Sequence, residues 1–203
     1  YRVNFDIFTS EQSLYDKGLV DSALNILKNN NHCYIAEDAL WLKTSDYGDE
    51  KDRVLVKEDG SYTYLLPDIA YHLDKCSRGY DALIDVLGAD HHGYINRLKA
   101  ALQMMGESKE KLDVKILQMV RLVKGKEEIK MSKRTGKAIT LVDLLEDIPV
   151  DAVRFLFNMR EPGSQMDFDL DLAVEQSSQN PVYYCQYANA RIHSILRKIE
   201  ADG

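Results

Sequence analysis

The sequence predicts an α/β fold built around a parallel sheet, and three consecutive stretches carry that expectation. Ala82 to Leu87 reads as an apolar strand, Tyr94 to Met105 as an amphipathic helix closed by Gly106, and Val114 to Val123 as a second strand-like run. Strand, helix, strand in this order implies parallel pairing through a right-handed crossover. Ligands of such sheets collect at the carboxyl ends of the strands. Gly88-Ala89-Asp90 and the loop after Val123 are therefore both expected at that edge.

The remaining elements follow in chain order. Asp16 to Asn29 places Leu19, Val20, Ala23, Leu24, Ile26 and Leu27 at helical spacing, and Asn29-Asn30-Asn31 breaks the pattern. His32 to Leu42 suggests short strands around a turn. Arg53–Val56 and Ser61–Tyr64, joined through Glu58-Asp59-Gly60, suggest a hairpin with Asp-Gly at its tip. Pro67 to Ser77 is helical, the proline suiting a first turn. Beyond Thr140 the character turns helical, with short helices expected over Leu141–Ile148, Val150–Met159 and Asp169–Gln179. Pro149 and Glu161-Pro162-Gly163-Ser164 separate them. A longer amphipathic helix runs from Val182 to about Ile199, and its face of Tyr183, Tyr187, Ala190, Ile195 and Ile199 calls for partners.

Composition excludes several classes. No apolar run approaches the length of a membrane span, no secretory signal opens the sequence, and no repeat or low-complexity tract is present. Cys33, Cys76 and Cys185 are far apart and odd in number. That argues against a disulfide framework or a cysteine zinc site and for a reducing cytoplasm. The formal charge of −7 disfavours a general polyanion binder. Within that acidic chain, Lys124 to Lys137 holds six basic residues against two acids, whereas Ala138 to Asn180 holds nine acids and two arginines. A positive island of this kind suits a specific phosphate contact better than a surface that coats nucleic acid.

The island centres on Lys130-Met131-Ser132-Lys133-Arg134-Thr135-Gly136-Lys137. Two lysines three apart, with a small hydroxyl between them and a glycine after, suit an arm closing over a polyphosphate, because an ammonium on a flexible stem can follow phosphoryl charge as it moves. Gly88-Ala89-Asp90-His91-His92-Gly93 follows a strand and opens a helix. Its glycines permit close backbone approach, and Asp90 could accept from two sugar hydroxyls or simply cap the helix. Its Asp-His-His string could also suggest a phosphoesterase metal centre, but no Asp-x-Asp signature lies upstream to complete one. No metal-ligating set is assigned. Tyr64 and Asp68 lie four apart around Pro67, where a phenol and a carboxylate could converge on a cation, or serve only as a packed aromatic and a first-turn acid. Met119-Val120 reads as part of a strand, either core or an edge whose backbone amides meet a base.

Taken together these segments resemble the class I aminoacyl-tRNA synthetases, and specifically the arginyl-tRNA synthetase family of bacterial type. Lys130-Met131-Ser132-Lys133 matches the second class I signature. Tyr62 to His72 resembles the family's arginine-site segment and Gly88 to Tyr94 its nucleotide-side segment. Asp151-Ala-Val-Arg-Phe155 and Asn180 to Arg191 resemble the entry to the anticodon-binding domain. The resemblance implies an ATP-dependent ligase that forms arginyl-adenylate and pyrophosphate and then passes arginine to its tRNA. It assigns Lys130 and Lys133 to the pyrophosphate as the catalytic pair. Gly88, Asp90, His91, Met119, Val120, Met131 and Ser132 fall to ATP, and Tyr64, Asp68 and His92 to arginine. Magnesium arrives with ATP, and the whole protein is expected to be monomeric and cytoplasmic.

The same resemblance divides the chain into residues 1–139, part of a Rossmann-like catalytic domain ending in the lysine loop; 140–180, a helical connector; and 181–203, the start of a helical anticodon-binding domain. The first class I signature, His-x-Gly-His, does not occur in the sequence. The chain is accordingly expected to be an internal piece of a longer protein and close to inactive alone. The alternatives are a non-catalytic relative that senses arginine or binds tRNA, and a class I synthetase for another amino acid.

Overall fold

The structure is a computed structural model that describes residues 1–125, 127–129 and 139–202. The chain divides into two compact units, Phe5–Leu117 and Tyr1–Asn4 with the residues from Gln118 onward.

The first unit opens with two helices, α1 (Glu11–Asp16) and α2 (Leu19–Asn29), where the sequence pattern suggests a single helix starting at Asp16. Gly18, at φ +68°, separates them; a left-handed residue there is inexpensive only for glycine. α2 buries Val20, Ala23, Leu24 and Leu27, one stripe at i, i+3, i+4 and i+7. Strands β1 (Cys33–Ala36) and β2 (Ala39–Leu42) form the expected tight hairpin. Its two turn residues, Glu37 and Asp38, both take positive φ (+51° and +54°), as a two-residue hairpin with matching twist requires.

β3 (Arg53–Val56) completes an antiparallel sheet of order β1-β2-β3. The predicted hairpin at Asp59-Gly60 is present in short form: Val56 bridges Tyr62, and the Lys57 and Thr63 amides donate to the Ser61 and Leu55 carbonyls, each at 2.9 Å. β3 pairs with β2 along its other edge, and Thr63 sends its hydroxyl to the Val54 carbonyl at 2.7 Å. The chain then enters α3 (Leu65–Ser77) two residues before Pro67.

β4 (Leu83–Gly88), α4 (Tyr94–Met104) and β5 (Leu112–Leu117) give the strand–helix–strand unit that the sequence predicts. β4 and β5 are parallel and in register from Leu83–Leu112 to Gly88–Leu117. The stripes of α2, α3 and α4 share one core, with Leu27, Leu66, Ile69, Leu98 and Leu102 packed together with Leu83 of β4 and Leu112 of β5.

A second bond set joins α3 to β4. His72 bridges them, its Nδ1 donating to the Asp68 carbonyl at 2.7 Å and its Nε2 lying 2.7 Å from Asp85 Oδ2. Lys75 donates to Asp85 Oδ1, also at 2.7 Å. Burial alone would raise the Asp85 pKa, but the hydrogen bonds and charges of His72 and Lys75 outweigh it and lower it to about 2.

The second unit departs further from the expectation. The predicted run Val114–Val123 is two strands in different sheets: β5 ends at Leu117 and β6 (Val120–Lys124) begins the next. The loop after Val123 therefore follows β6, not the parallel pair that ends at Gly88. β6 is flanked by the short antiparallel β7 (Glu127–Glu128) and, in parallel, by a strand that the sequence pattern does not show, β8 (Met166–Asp169). The polar residues of β8 hide it. Arg121 forks onto Asp167 across the strand pair at 2.7 and 2.8 Å, while Phe168 points inward and is fully buried.

Helices α5 (Leu141–Asp147) and α6 (Val150–Asn158) lie within a residue of their predicted bounds. Thr140 and Asp143 form a reciprocal capping box at the start of α5. The helix expected over Asp169–Gln179 shortens to α7 (Leu170–Val174), capped by Asp169, whose carboxylate accepts from the Asp171 and Leu172 amides. The last element, α8 (Pro181–Asp202), buries Val182 and leaves Tyr183, Tyr187, Ile195 and Ile199 exposed. The core of this unit gathers Leu144, Ile148, Val153, Leu156 and Val182 around Phe168, whose ring lies 5.3 Å from that of Phe157.

Two stability outcomes follow. Phe168→Ala removes the ring at the centre of the second core and is expected to cost about 3–5 kcal/mol in urea unfolding of the chain; a cost below about 1 kcal/mol would contradict its central place. Asp85 is held below its ordinary pKa of 3.8. Its contribution is present above pH 4 and is lost as pH falls toward 2, by no more than about 2 kcal/mol. Asp85→Asn should remove that acid-side slope and destabilise the protein at neutral pH by about 2–4 kcal/mol, because His72 and Lys75 lose their counter-ion. Stability measured from pH 5 to pH 2 in both proteins checks it, and parallel curves would refute it.

Candidate functional site

Gly88 is the last residue of β4 and stands at the carboxyl end of the parallel pair, where the sequence argument places it. Its φ of −70° suits any residue, so backbone conformation does not call for glycine here. Space does: a Cβ would lie 2.9 Å from Asp90 Oδ1. The glycine leaves room for the Asp90 carboxylate, which occupies a short 3-10 turn, Ala89–His91, with its side chain 84% exposed. Helix α4 begins three residues further on, with Gly93 at the N-cap position, so Asp90 does not cap it. His91 places Nε2 3.8 Å from Asp90 Oδ2, and His92 is exposed. The edge thus presents a solvated carboxylate and two imidazoles.

Beside it lies the first turn of α3. Tyr64 sits at the N-cap position in helical conformation, with its side chain turned to solvent (88% exposed). The Asp68 amide bonds back to the Tyr64 carbonyl at 3.4 Å, and the Asp68 side chain is half-buried. Asp68 lines a cavity of about 230 Å³ with Thr9, Glu11, Leu14, Pro67 and Tyr71.

The state of the Asp68 carboxylate sets it apart from the other buried and half-buried acids of this unit. Asp49 is forked by Arg53, Asp74 pairs with Arg78, Asp85 with His72 and Lys75, and Glu107 with Lys111. Asp52 lacks a cation but accepts from the Ser45 amide, the Ser45 hydroxyl and the Tyr34 phenol. Asp68 accepts one side-chain bond, from the Tyr94 hydroxyl at 2.5 Å, and no cation lies within ion-pair distance among the described residues. A partly desolvated carboxylate with lone pairs to spare, facing a cavity, has the chemistry to accept a cation.

Tyr94 joins the two segments. It opens α4 directly after the 88–93 turn, and its hydroxyl reaches the first turn of α3. Burial, and then the bond to the Asp68 carboxylate, raise its pKa far above the ordinary tyrosine value, so it remains a neutral donor. Sequence reasoning did not single out Tyr94, His72, Lys75 or Asp85. Tyr94 and His72 stand inside the two quoted segments, but spacing alone could not pair residue 94 with residue 68, or 72 with 85.

The other expected site residues belong to the second unit or lie outside the described residues. Met119 is not in a strand: it falls between β5 and β6 and is 79% exposed, while Val120 opens β6 in the second unit. Neither is core. Lys130, Met131, Ser132 and Lys133 lie outside the described residues. Among the described residues no group of three or more His, Cys, Asp or Glu side chains is arranged to hold a metal ion, and no helix is long and apolar enough to cross a membrane.

Residues 1–192 match the family model described as tRNA synthetases class I (R), catalytic domain. A curated relative from Shouchella clausii, named arginine–tRNA ligase, is 58% identical over all 203 residues of this chain, which correspond to 36% of its own length. A solved structure from Campylobacter jejuni, described as an arginyl-tRNA synthetase, superposes with a TM-score of 0.88 at 42% identity, over 97% of this chain and 43% of that one. The Thermus thermophilus arginyl-tRNA synthetase shares the fold, with a TM-score of 0.74 at 24% identity over 92% of this chain and 41% of that one. The chain thus spans little more than a third of the curated relatives it matches. With a parallel pair ending in Gly88, a turn carrying Asp90 and a helix carrying Asp68, the chain belongs to the arginine (R) family of class I tRNA synthetase catalytic domains.

Proposed function

We propose that the protein carrying this chain activates arginine with ATP and transfers it to the tRNA specific for arginine. The observation that supports this reading best is Asp68. A guanidinium presents a planar fork of N–H donors that a carboxylate accepts bidentately, and Asp68 is the half-buried carboxylate of its unit left with one neutral donor beside a cavity. A synthetase for an apolar amino acid would not leave a desolvated charge facing the substrate side chain. Tyr64 and His92 complete the arginine side in this reading.

Arginine's carboxylate oxygen attacks the α-phosphorus of ATP, forming the acyl–phosphate bond as the bond to pyrophosphate breaks. The 2′ or 3′ hydroxyl of the terminal adenosine of tRNA then attacks the acyl carbon and AMP departs. No covalent enzyme intermediate is needed, so the protein contributes positioning and charge stabilisation. Asp90 receives the ribose hydroxyls, with Gly88 leaving the space it needs and His91 beside it. Met119 and Val120 offer backbone to the adenine. Lys130 and Lys133 take the charge of the leaving pyrophosphate, and Met131 and Ser132 contribute to binding ATP. ATP enters as its magnesium complex, the ion being carried by the phosphates.

We place the lysine loop at the end of a catalytic segment (1–139), followed by a helical connector (140–180) and the first helix of an anticodon-binding domain (181–203). We further propose a cytoplasmic, monomeric whole protein. An intact lysine signature disfavours a relative that only senses arginine, since binding arginine has no need of a pyrophosphate clamp.

In the whole protein, Asp68→Asn is expected to raise the arginine KM at least about tenfold with the ATP KM little changed, through loss of a bidentate ion pair. Arginine-dependent exchange of pyrophosphate into ATP measures it, and an unchanged arginine KM would sink the assignment. Lys133→Ala should slow the same exchange by about a hundredfold or more while leaving the arginine KM within a few-fold, because its charge acts on the transition state. A variant with normal turnover and weakened arginine binding would reverse the two assignments.

A further inference from the structure

Asp68 stands on a helix, but its carboxylate is not oriented by the helix. The terminal torsion of an aspartate is broad and soft, whereas a two-pronged bond to a guanidinium needs the carboxylate plane fixed within narrow limits. Something must hold that plane without occupying the edge that meets the ligand. A lysine or arginine would hold it but would also neutralise it, and so close the site to a cationic substrate. A neutral donor on one oxygen leaves the charge in place, with Oδ1 and the second lone pair of Oδ2 open.

Tyr94 meets this requirement. Its hydroxyl donates to Asp68 Oδ2 at 2.5 Å, and its ring is itself held. The Arg97 guanidinium lies over the ring face, 4.8 Å from the centroid, and His91 meets the ring edge-on at 6.2 Å. Arg97 lies near Asp49, its Nε 4.0 Å from Oδ2 and without a hydrogen bond, while that carboxylate is forked by Arg53 at 2.7 and 2.8 Å. At the other end of Asp68, His72 holds the main-chain carbonyl. The acid is thus secured at both its backbone and its side chain.

We propose that Tyr94 is a positioning residue that aims the Asp68 carboxylate at the substrate guanidinium, linking it through His91 to the nucleotide-side turn. The proposal rests on the reading of Asp68 as the arginine acceptor. Packing alone does not ask for the hydroxyl, since the ring would fill the same space as phenylalanine. The hydroxyl matters for the direction in which Asp68 points.

The test is a double-mutant cycle in the whole protein with Tyr94→Phe, Asp68→Asn and the pair, read by arginine-dependent pyrophosphate exchange. Tyr94→Phe is expected to raise the arginine KM about tenfold, the value of one charge-assisted hydrogen bond, with kcat within about threefold and the ATP KM unchanged. Because Tyr94 acts through Asp68, the double variant should be no worse than Asp68→Asn alone. Tyr94→Gln, which returns a donor, should recover part of the loss. An arginine KM unmoved by Tyr94→Phe, or effects that simply add, would overturn the positioning role alone. A Tyr94→Phe variant that loses arginine and ATP affinity together with thermal stability would mark the hydroxyl as structural and overturn it equally. If Asp68→Asn itself leaves the arginine KM unchanged, the underlying reading fails and takes the proposal with it.

Discussion

The bonds that lock α3 onto β4 fix the helix carrying Asp68 to the strand that leads into the turn carrying Asp90, and the arrangement of the first unit follows from them. A two-stranded parallel pair has little rigidity of its own. Here it gains a third surface because His72 and Lys75 of α3 converge on Asp85 of β4. The same histidine grips the Asp68 carbonyl, so strand direction, helix position and the placement of the candidate acceptor share one set of contacts. A buried charged cluster of this sort is not a strong source of net stability, since desolvation offsets much of the attraction. Its value lies in direction: apolar packing between α3 and β4 would tolerate a sliding helix, whereas two hydrogen bonds of 2.7 Å onto one carboxylate do not.

That rigidity explains how two segments more than twenty residues apart in the chain come together. The turn after β4 presents Asp90 to solvent, and the helix presents Asp68 to a cavity. Tyr94, immediately downstream of that turn, touches the helix. The polar groups of the site divide into two kinds. Asp49, Asp74 and Asp85 are satisfied by the protein's own cations, whereas among the described residues Asp68 has none within ion-pair distance and Asp90 has only the His91 imidazole at 3.8 Å. A carboxylate kept charged and under-partnered costs stability, and such a cost is expected where a ligand completes the set.

Much of the fold was legible in the sequence because its periodicities are strong. The stripes of α2 and α4 and the strand–helix–strand order all appear as read, with boundaries within a few residues. Elements failed where the deciding partner is distant. The hairpin at Asp59-Gly60 forms only in short form, while the longer pairing of β3 is with β2, which the sequence reading did not assign to it. The run Val114–Val123 is mainly apolar, broken singly by Lys115, Gln118 and Arg121, and only tertiary pairing shows that it crosses from one sheet to another at Gln118 and Met119. β8 was missed because just one of its four residues, Phe168, is fully buried, while Asp167 faces Arg121 outside.

The candidate site divides in the same way. Motif order alone pointed to the chemistry: a lysine signature, an acid in a glycine-framed turn and an acid in the first turn of a helix are local patterns, each carried by residues adjacent in the chain. Which acid lacks a counter-ion is not local. Asp68 and Asp74 occupy the same helix, yet Arg78 pairs with one while the other keeps a neutral phenol. The Asp74 pair is an i,i+4 spacing that the sequence shows. The Asp68 partner is not: Tyr94 lies 26 residues away on another helix, and packing across elements alone brings its hydroxyl to the carboxylate.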